Sequence, residues 1–133
     1  LVAKAHQVFS SYFKELLEDY NLTPSQFGTL AFLWHNDGAS QVQLGQKMRK
    51  DRTTISGIID RLEKEQLVQR KEDPMDRRAH LIYLTPKALA IRGRLEELAI
   101  KANKDVTSML SEQERAALGV ILKKIIDGSK YEF

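Results

Sequence analysis

Hydrophobic residues recur along this chain at two periods, and the change of period marks where helix gives way to ribbon. Val2, Ala5, Phe9, Tyr12, Leu16 and Tyr20 fall at steps of three and four, the spacing of one helical face, and Phe13 and Leu17 widen it. Asn21-Leu22 ends that pattern. Thr23-Pro24-Ser25-Gln26 opens a second helix: the threonine oxygen can accept from an orphan backbone N–H, proline suits the first turn, and Gln26 can close a capping box. This helix carries Phe27, Leu30, Ala31, Leu33 and Trp34. It is predicted to stop near Asn36-Asp37-Gly38, where Gly38 can take the left-handed conformation that terminates helices.

Ser40 and Gln43 repeat the capping-box spacing and open a short third helix with Val42, Leu44 and Met48. Arg49-Lys50 connects it to a fourth helix over 51–65, for which Asp51 is the N-cap. Two short helices joined by a few residues are the helix-turn-helix signature. Residues 67–72 and 79–84 then read as antiparallel strands around the turn Asp73-Pro74-Met75-Asp76-Arg77-Arg78. Thr85-Pro86 restarts helix. Ala88, Ile91, Leu95, Leu98, Ala102, Val106 and Met109 form a stripe spanning ~32 Å at ~1.5 Å per residue. A helix so long projects beyond a small lobe and needs something to cover it. Ser111 and Glu114 make another capping box, before a last helix with Leu118, Ile121, Leu122, Ile125 and Ile126 that ends near Gly128. The fold class is therefore mainly α with a small two-stranded β-wing: four helices, two strands, two helices.

The chain has 133 residues, 42% hydrophobic and 29% charged, enough for one core and unlike a disordered segment. No apolar run approaches the ~20 residues that cross a bilayer, and no signal peptide is visible in a sequence that opens at Leu1. The absence of cysteine excludes disulfides, thiolate catalysis and a thiol switch. It fits a cytoplasmic protein without membrane attachment, which is the expectation. Net charge is +3, unevenly spread: residues 1–46 hold two basic and four acidic side chains, residues 47–83 ten and seven. The positive excess starts with the fourth helix, as a phosphate-binding surface requires.

On that helix Ile55, Ile58, Ile59 and Leu62 cluster on one side. The other presents Thr53, Thr54, Gly57, Asp60 and Lys64, flanked by Ser56 and Arg61. Short hydroxyl side chains and a glycine let a helix approach base edges, while Arg52 or Arg61 can reach guanine or phosphate. Arg77 and Arg78 stand at the ribbon's tip, suited to a narrow minor groove, with Asp76 near enough to hold a guanidinium. Arg70 and Lys71 on the ribbon are phosphate candidates.

These residues resemble the MarR family of bacterial transcription regulators over nearly the whole chain. The likeness rests on Leu22 to Phe27 with Leu30 and Leu33, Leu44 to Met48, and Asp51 to Ser56. It continues through Asp60 to Glu63 and Leu67 to Arg70, and closes with Asp73 to Arg78 and Leu84-Thr85. Asp76 and Arg78 fall on the family's Asp-x-Arg wing positions. The resemblance implies a homodimer, with residues 1–20 and 86–133 as its helical dimerisation region and 22–85 as the winged DNA-binding lobe, two lobes sharing one palindromic operator. It also implies a small anionic or phenolic effector, for which Phe9, Phe13, Leu30 and Trp34 are the pocket candidates; the first reading of the same four residues is plain core. Two positions depart from the family: Gln66 and Ala88 stand where glycine is common, so a non-glycine residue must end the fourth helix.

No Gly-rich phosphate loop or nucleophile–base motif points to an enzyme. His6, His35 and His80 are too scattered for a zinc site, and neither metal nor cofactor is expected. The competing reading is a winged-helix module that binds an acidic protein. A steep salt dependence of DNA binding separates the two.

Overall fold

Side-chain caps start five of the six helices in the computed structural model, which describes residues 1–129. Thr23, Ser40 and Ser111 form complete capping boxes with Gln26, Gln43 and Glu114. They open α2 (Pro24–His35), α3 (Gln41–Met48) and α6 (Glu112–Asp127). Asp51 caps α4 (Arg52–Lys64), and Thr85, followed by Pro86, caps α5 (Pro86–Val106). Only α1 (Val2–Leu17) begins without a side-chain cap.

The ends of the helices differ more from expectation. After Leu17 the chain tightens into a 3-10 turn over Glu18–Tyr20, which Asn21 closes at φ 54°. Gly38 is left-handed, at φ 81°, but α2 has already stopped at His35. The glycine instead turns the chain into a two-residue strand, β1 (Ala39–Ser40), and its N–H donates to Ile82 O at 2.9 Å. A Cβ there would lie 2.9 Å from the Tyr83 ring, so this turn needs glycine twice over. Gln66 ends α4's connection at φ 62°, the left-handed conformation that its position requires without the usual glycine.

β1 pairs with β3 (Asp76–Leu84), which pairs in turn with β2 (Val68–Asp73), all antiparallel in the order β1-β3-β2. The expected two-stranded wing thus gains a third, short strand at its base. β3 also starts earlier than expected, leaving only Pro74-Met75 between the strands. The register runs Val68↔Leu84, Arg70↔Ile82, Glu72↔His80 and then steps to Asp73↔Asp76. Arg77, Arg78 and Ala79 occupy that step, a bulge on the long strand rather than the turn itself.

Leu30, Leu33, Leu44, Ile55, Ile59, Leu62, Leu67 and Ile82 are fully buried and close the winged lobe around one core. On α1 the buried positions are Phe13 and Leu17, with Phe9, Tyr12 and Leu16 half-buried beside them. That face lies along α5, where Leu95, Leu98 and Ala102 are buried. The Tyr12 hydroxyl donates to Asp105, and Lys101 Nζ reaches the same carboxylate at 2.7 Å, tying the two helices together. The long stripe is therefore covered by the chain's own first helix. It also ends sooner than expected, since α5 stops at Val106 and Met109 stands exposed beyond it. By contrast α6 buries none of its residues, and Val120, Ile121, Leu122, Ile125 and Ile126 are all exposed. The last four positions of the expected dimerisation region, 130–133, lie outside the described residues.

Candidate nucleic-acid interface

The fourth helix is anchored by one side and open on the other. Ile55, Ile59 and Leu62 enter the core with Ile58 half-buried, while Arg52, Thr53, Thr54, Gly57, Asp60 and Arg61 are exposed and Ser56 is half-buried. Asp51 Oδ1 accepts from the Thr54 backbone N–H at 2.7 Å. That backbone bond, with the Thr54 hydroxyl second, holds the Asp51 carboxyl below its ordinary value, so the cap is charged at neutral pH. A Cβ at Gly57 would meet nothing within 4 Å. Internal packing does not demand glycine there; its effect is to lower the outer surface of the helix.

The wing presents a different chemistry on each face. Cross-strand partners share a face, so Val68 and Leu84, Arg70 and Ile82, then Glu72 and His80 run from base to tip on the side turned toward α4. The pairs grade from buried apolar to exposed polar along the strand. Lys71 lies on the opposite face, its Nζ 4.9 Å from the Tyr83 ring centroid. Arg77 and Arg78 are exposed in the bulge.

Arg70 does something the sequence did not reveal. Its Nη1 meets Asp60 at 2.5 Å and also Glu63, and its Nη2 donates to Ser56 O at 3.0 Å and to Ser56 Oγ at 3.3 Å. Its Nε donates to Gln41 Oε1 at 3.3 Å. One guanidinium, its side chain only 19% exposed, thus joins β2 to α3 and to two turns of α4. Arg70 and Asp60, both expected at the DNA-facing surface, form an ion pair with each other there. Asp76 also departs from expectation: its carboxylate accepts from the Arg78 backbone N–H at 3.0 Å and shapes the bulge, and it holds no guanidinium.

Between α4 and the wing lies an open cleft of about 790 Å³, into which Arg52, Thr53, Ser56 and Gly57 face from the helix and Arg78 and His80 from the strand. A second cleft of about 470 Å³ continues from Arg78 and His80 past Arg52 to Lys50 and the start of α3. Gln41, Lys50 and His80 are therefore members of this surface that sequence reasoning passed over. The alternation of residues 80, 82 and 84 along one strand was the available signal for His80.

The four effector-pocket candidates form part of a packed aromatic row. Phe13 and Leu30 are closed core residues, whereas Phe9 and Trp34 are half-buried. Ring centroids lie 5.6 Å apart for Phe9–Phe13, 5.0 Å for Phe13–Phe27 and 6.0 Å for Phe27–Trp34. The Arg92 guanidinium sits 5.4 Å from the Trp34 ring, and Trp34 Nε1 is buried with no acceptor among the described residues.

No helix among the described residues is long and apolar enough to cross a membrane. The sequence model of the MarR family matches residues 22–80. The HTH-type transcriptional repressor NicR of Pseudomonas putida is 33% identical over 130 residues, 98% of this chain and 82% of the relative. Among solved structures, BpsR of Bordetella bronchiseptica, described for regulation of its DNA binding by 6-hydroxynicotinic acid, is 29% identical. Its TM-score is 0.81, with 93% of this chain and 94% of that one covered. A MarR mutant from E. coli complexed with operator DNA is 25% identical, with a TM-score of 0.81 over 94% of this chain and 90% of the other.

Proposed function

Because the chain belongs to the MarR family and is a DNA-binding transcriptional regulator of that type, we propose that two copies clamp one palindromic operator and repress the adjoining gene. Each copy inserts α4 into a major groove, with half-sites ~34–36 Å apart, one helical turn. Thr53, Thr54 and Ser56 read base edges, Gly57 permits the close approach, and Arg52 and Arg61 reach guanine or phosphate. Arg77 and Arg78 enter the neighbouring minor groove, Lys71 serves a phosphate from the outer face, and Asp76 sets the backbone from which Arg78 projects. Arg70 and Asp60 hold the wing at its angle to the helix.

The observation that carries this reading is the shared cleft: Arg52, Thr53 and Ser56 on the helix face Arg78 on the strand across an open space. Dimerisation falls to the exposed apolar row of α6 together with the start of α1, whose Val2 is 71% exposed. The operator complex of the E. coli relative and the repressor description of NicR support the same assignment.

BpsR's regulation by a hydroxylated aromatic acid supports a small anionic or phenolic effector here. The half-buried Trp34, whose Nε1–H is buried without an acceptor and whose ring Arg92 covers while paired with Glu96, is the candidate that such a ligand would rearrange.

The test is selection of bound fragments from genomic DNA, followed by footprinting. A two-fold site with half-sites one turn apart is expected, and Thr53→Ala should change its discrimination by about 1–3 kcal/mol at one base pair. Arg78→Ala should weaken binding, most at sites whose flanking minor groove is narrow, and so change the flanks of the selected site, with a salt slope reduced by about 1. Fragments that share no site, or unchanged selection by both variants, would refute the assignment.

A further inference from the structure

We propose that His80 is a DNA-contacting residue, bound to the sugar–phosphate strand that separates the two grooves, and that it makes operator binding tighten as pH falls. This rests on the DNA-binding reading above. Strand register comes first: His80 pairs with Glu72 and lies two residues from Ile82, the partner of Arg70, so it belongs to the wing face turned toward α4. It is exposed there, and it faces both clefts that adjoin the recognition helix.

B-DNA fixes what that position must meet. A major groove about 12 Å wide and a minor groove about 6 Å wide are separated by a single sugar–phosphate strand. A helix in the first and a wing tip in the second straddle that strand, and side chains lining the cleft between them lie nearest to it. His80 lines both clefts there. A neutral imidazole offers one N–H to a phosphate oxygen; protonated, it offers two and a full charge.

The charged groups around His80 come from every element packed near it. Arg52 from α4, Lys50 from the helix-turn-helix connection and Arg78 from its own strand line the clefts with it, and Glu72 pairs with it across the ribbon. Asp60 is matched by Arg70, and Asp76 is engaged by the Arg78 N–H. A bound phosphate adds an anion to this balance, so the complex binds the proton more tightly than the free dimer does. By linkage, DNA affinity rises as pH falls.

The experiment is a titration of a fluorescein-labelled duplex of mixed sequence with the full-length dimer, since a phosphate contact does not depend on sequence. Between about pH 8 and about pH 6, the parent should tighten on the order of five-fold more than His80→Gln. At the lower pH the salt slope of His80→Gln should be smaller than the parent's by up to about 1. His80→Arg should bind tightly across the range with a flattened pH profile, and circular dichroism should find both variants folded, as befits an exposed position. Matching pH profiles and salt slopes for parent and His80→Gln would overturn the proposal while leaving DNA binding intact. A parent dimer that retains no duplex would overturn the DNA-binding reading itself.

Discussion

Replacing Arg70 with methionine separates a clamp from a phosphate contact, because the two roles fail differently. The substitution keeps the aliphatic bulk and removes donors to Gln41, Ser56, Asp60 and Glu63. Breaking a fully buried ion pair costs about 3–5 kcal/mol, while exposed pairs contribute about 0–1. Arg70 is 19% exposed, but Asp60 is 64% and Glu63 is 37% exposed, so water recovers much of what the carboxylates lose. The Ser56 carbonyl and Gln41 lose neutral acceptor bonds worth about 1 kcal/mol each. About 2 kcal/mol is the resulting estimate, which lowers Tm by roughly 6–10 °C for a chain of this size. Thermal unfolding followed by circular dichroism reads this directly. Asp60→Asn in the same background should return part of the loss, since it removes an uncompensated carboxylate. A Tm within about 1 °C of the parent, combined with weaker DNA binding and a salt slope smaller by about 1, would refute the clamp and restore Arg70 as a phosphate ligand.

Three further outcomes are expected. Ile125→Asp should convert the proposed dimer to monomers: burying isoleucine contributes about 1.5–3 kcal/mol on each side of a two-fold contact, so sedimentation should find the dissociation constant raised more than about 100-fold. An intact dimer would mean that the α6 row faces elsewhere. Gln66→Gly should raise stability by about 0.5–1 kcal/mol by relieving the left-handed φ, measured as a higher urea midpoint; an unchanged midpoint would mean that Gln66 adopts that conformation without strain. Lys101 first, then the Tyr12 hydroxyl, holds the Asp105 carboxyl below its ordinary value. Its stabilisation is thus present above the unfolded value of about 3.9 and lost as pH falls through the folded one. Asp105→Asn should therefore differ from the parent above about pH 5 and converge with it in acid, and a gap that persists there would assign the effect to packing.

What could be read from the chain was local chemistry. Thr23 with Gln26, Ser40 with Gln43 and Ser111 with Glu114 each act across three residues, so their spacing alone sets where α2, α3 and α6 begin. The need for a non-glycine left-handed residue at Gln66 was legible for the same reason. β1 was not, because a two-residue strand has no period and exists only through its bonds to β3. Nor was the cover of α5's stripe by α1, which joins residues about ninety positions apart, as Tyr12 and Asp105 illustrate. Within the proposed interface, the exposure of Thr53, Thr54 and Arg78 was visible from their helical face and wing motif. Arg70's engagement was hidden because its partners come from two other elements, α3 and α4, up to 29 positions away.

The short strand at the wing's base turns the ribbon into a lever with its fulcrum at the end of α2. Asp37 Oδ1 accepts from the Leu84 N–H at 2.8 Å, one residue before Gly38 bonds Ile82, and both follow Trp34 by less than two turns. From Leu84 to Arg78 is about 20 Å of extended chain. A tilt of about 5° at the fulcrum sweeps the tip through nearly 2 Å, beyond the latitude of a hydrogen bond. Small displacements around the tryptophan are thereby magnified at the exposed arginines of the wing tip.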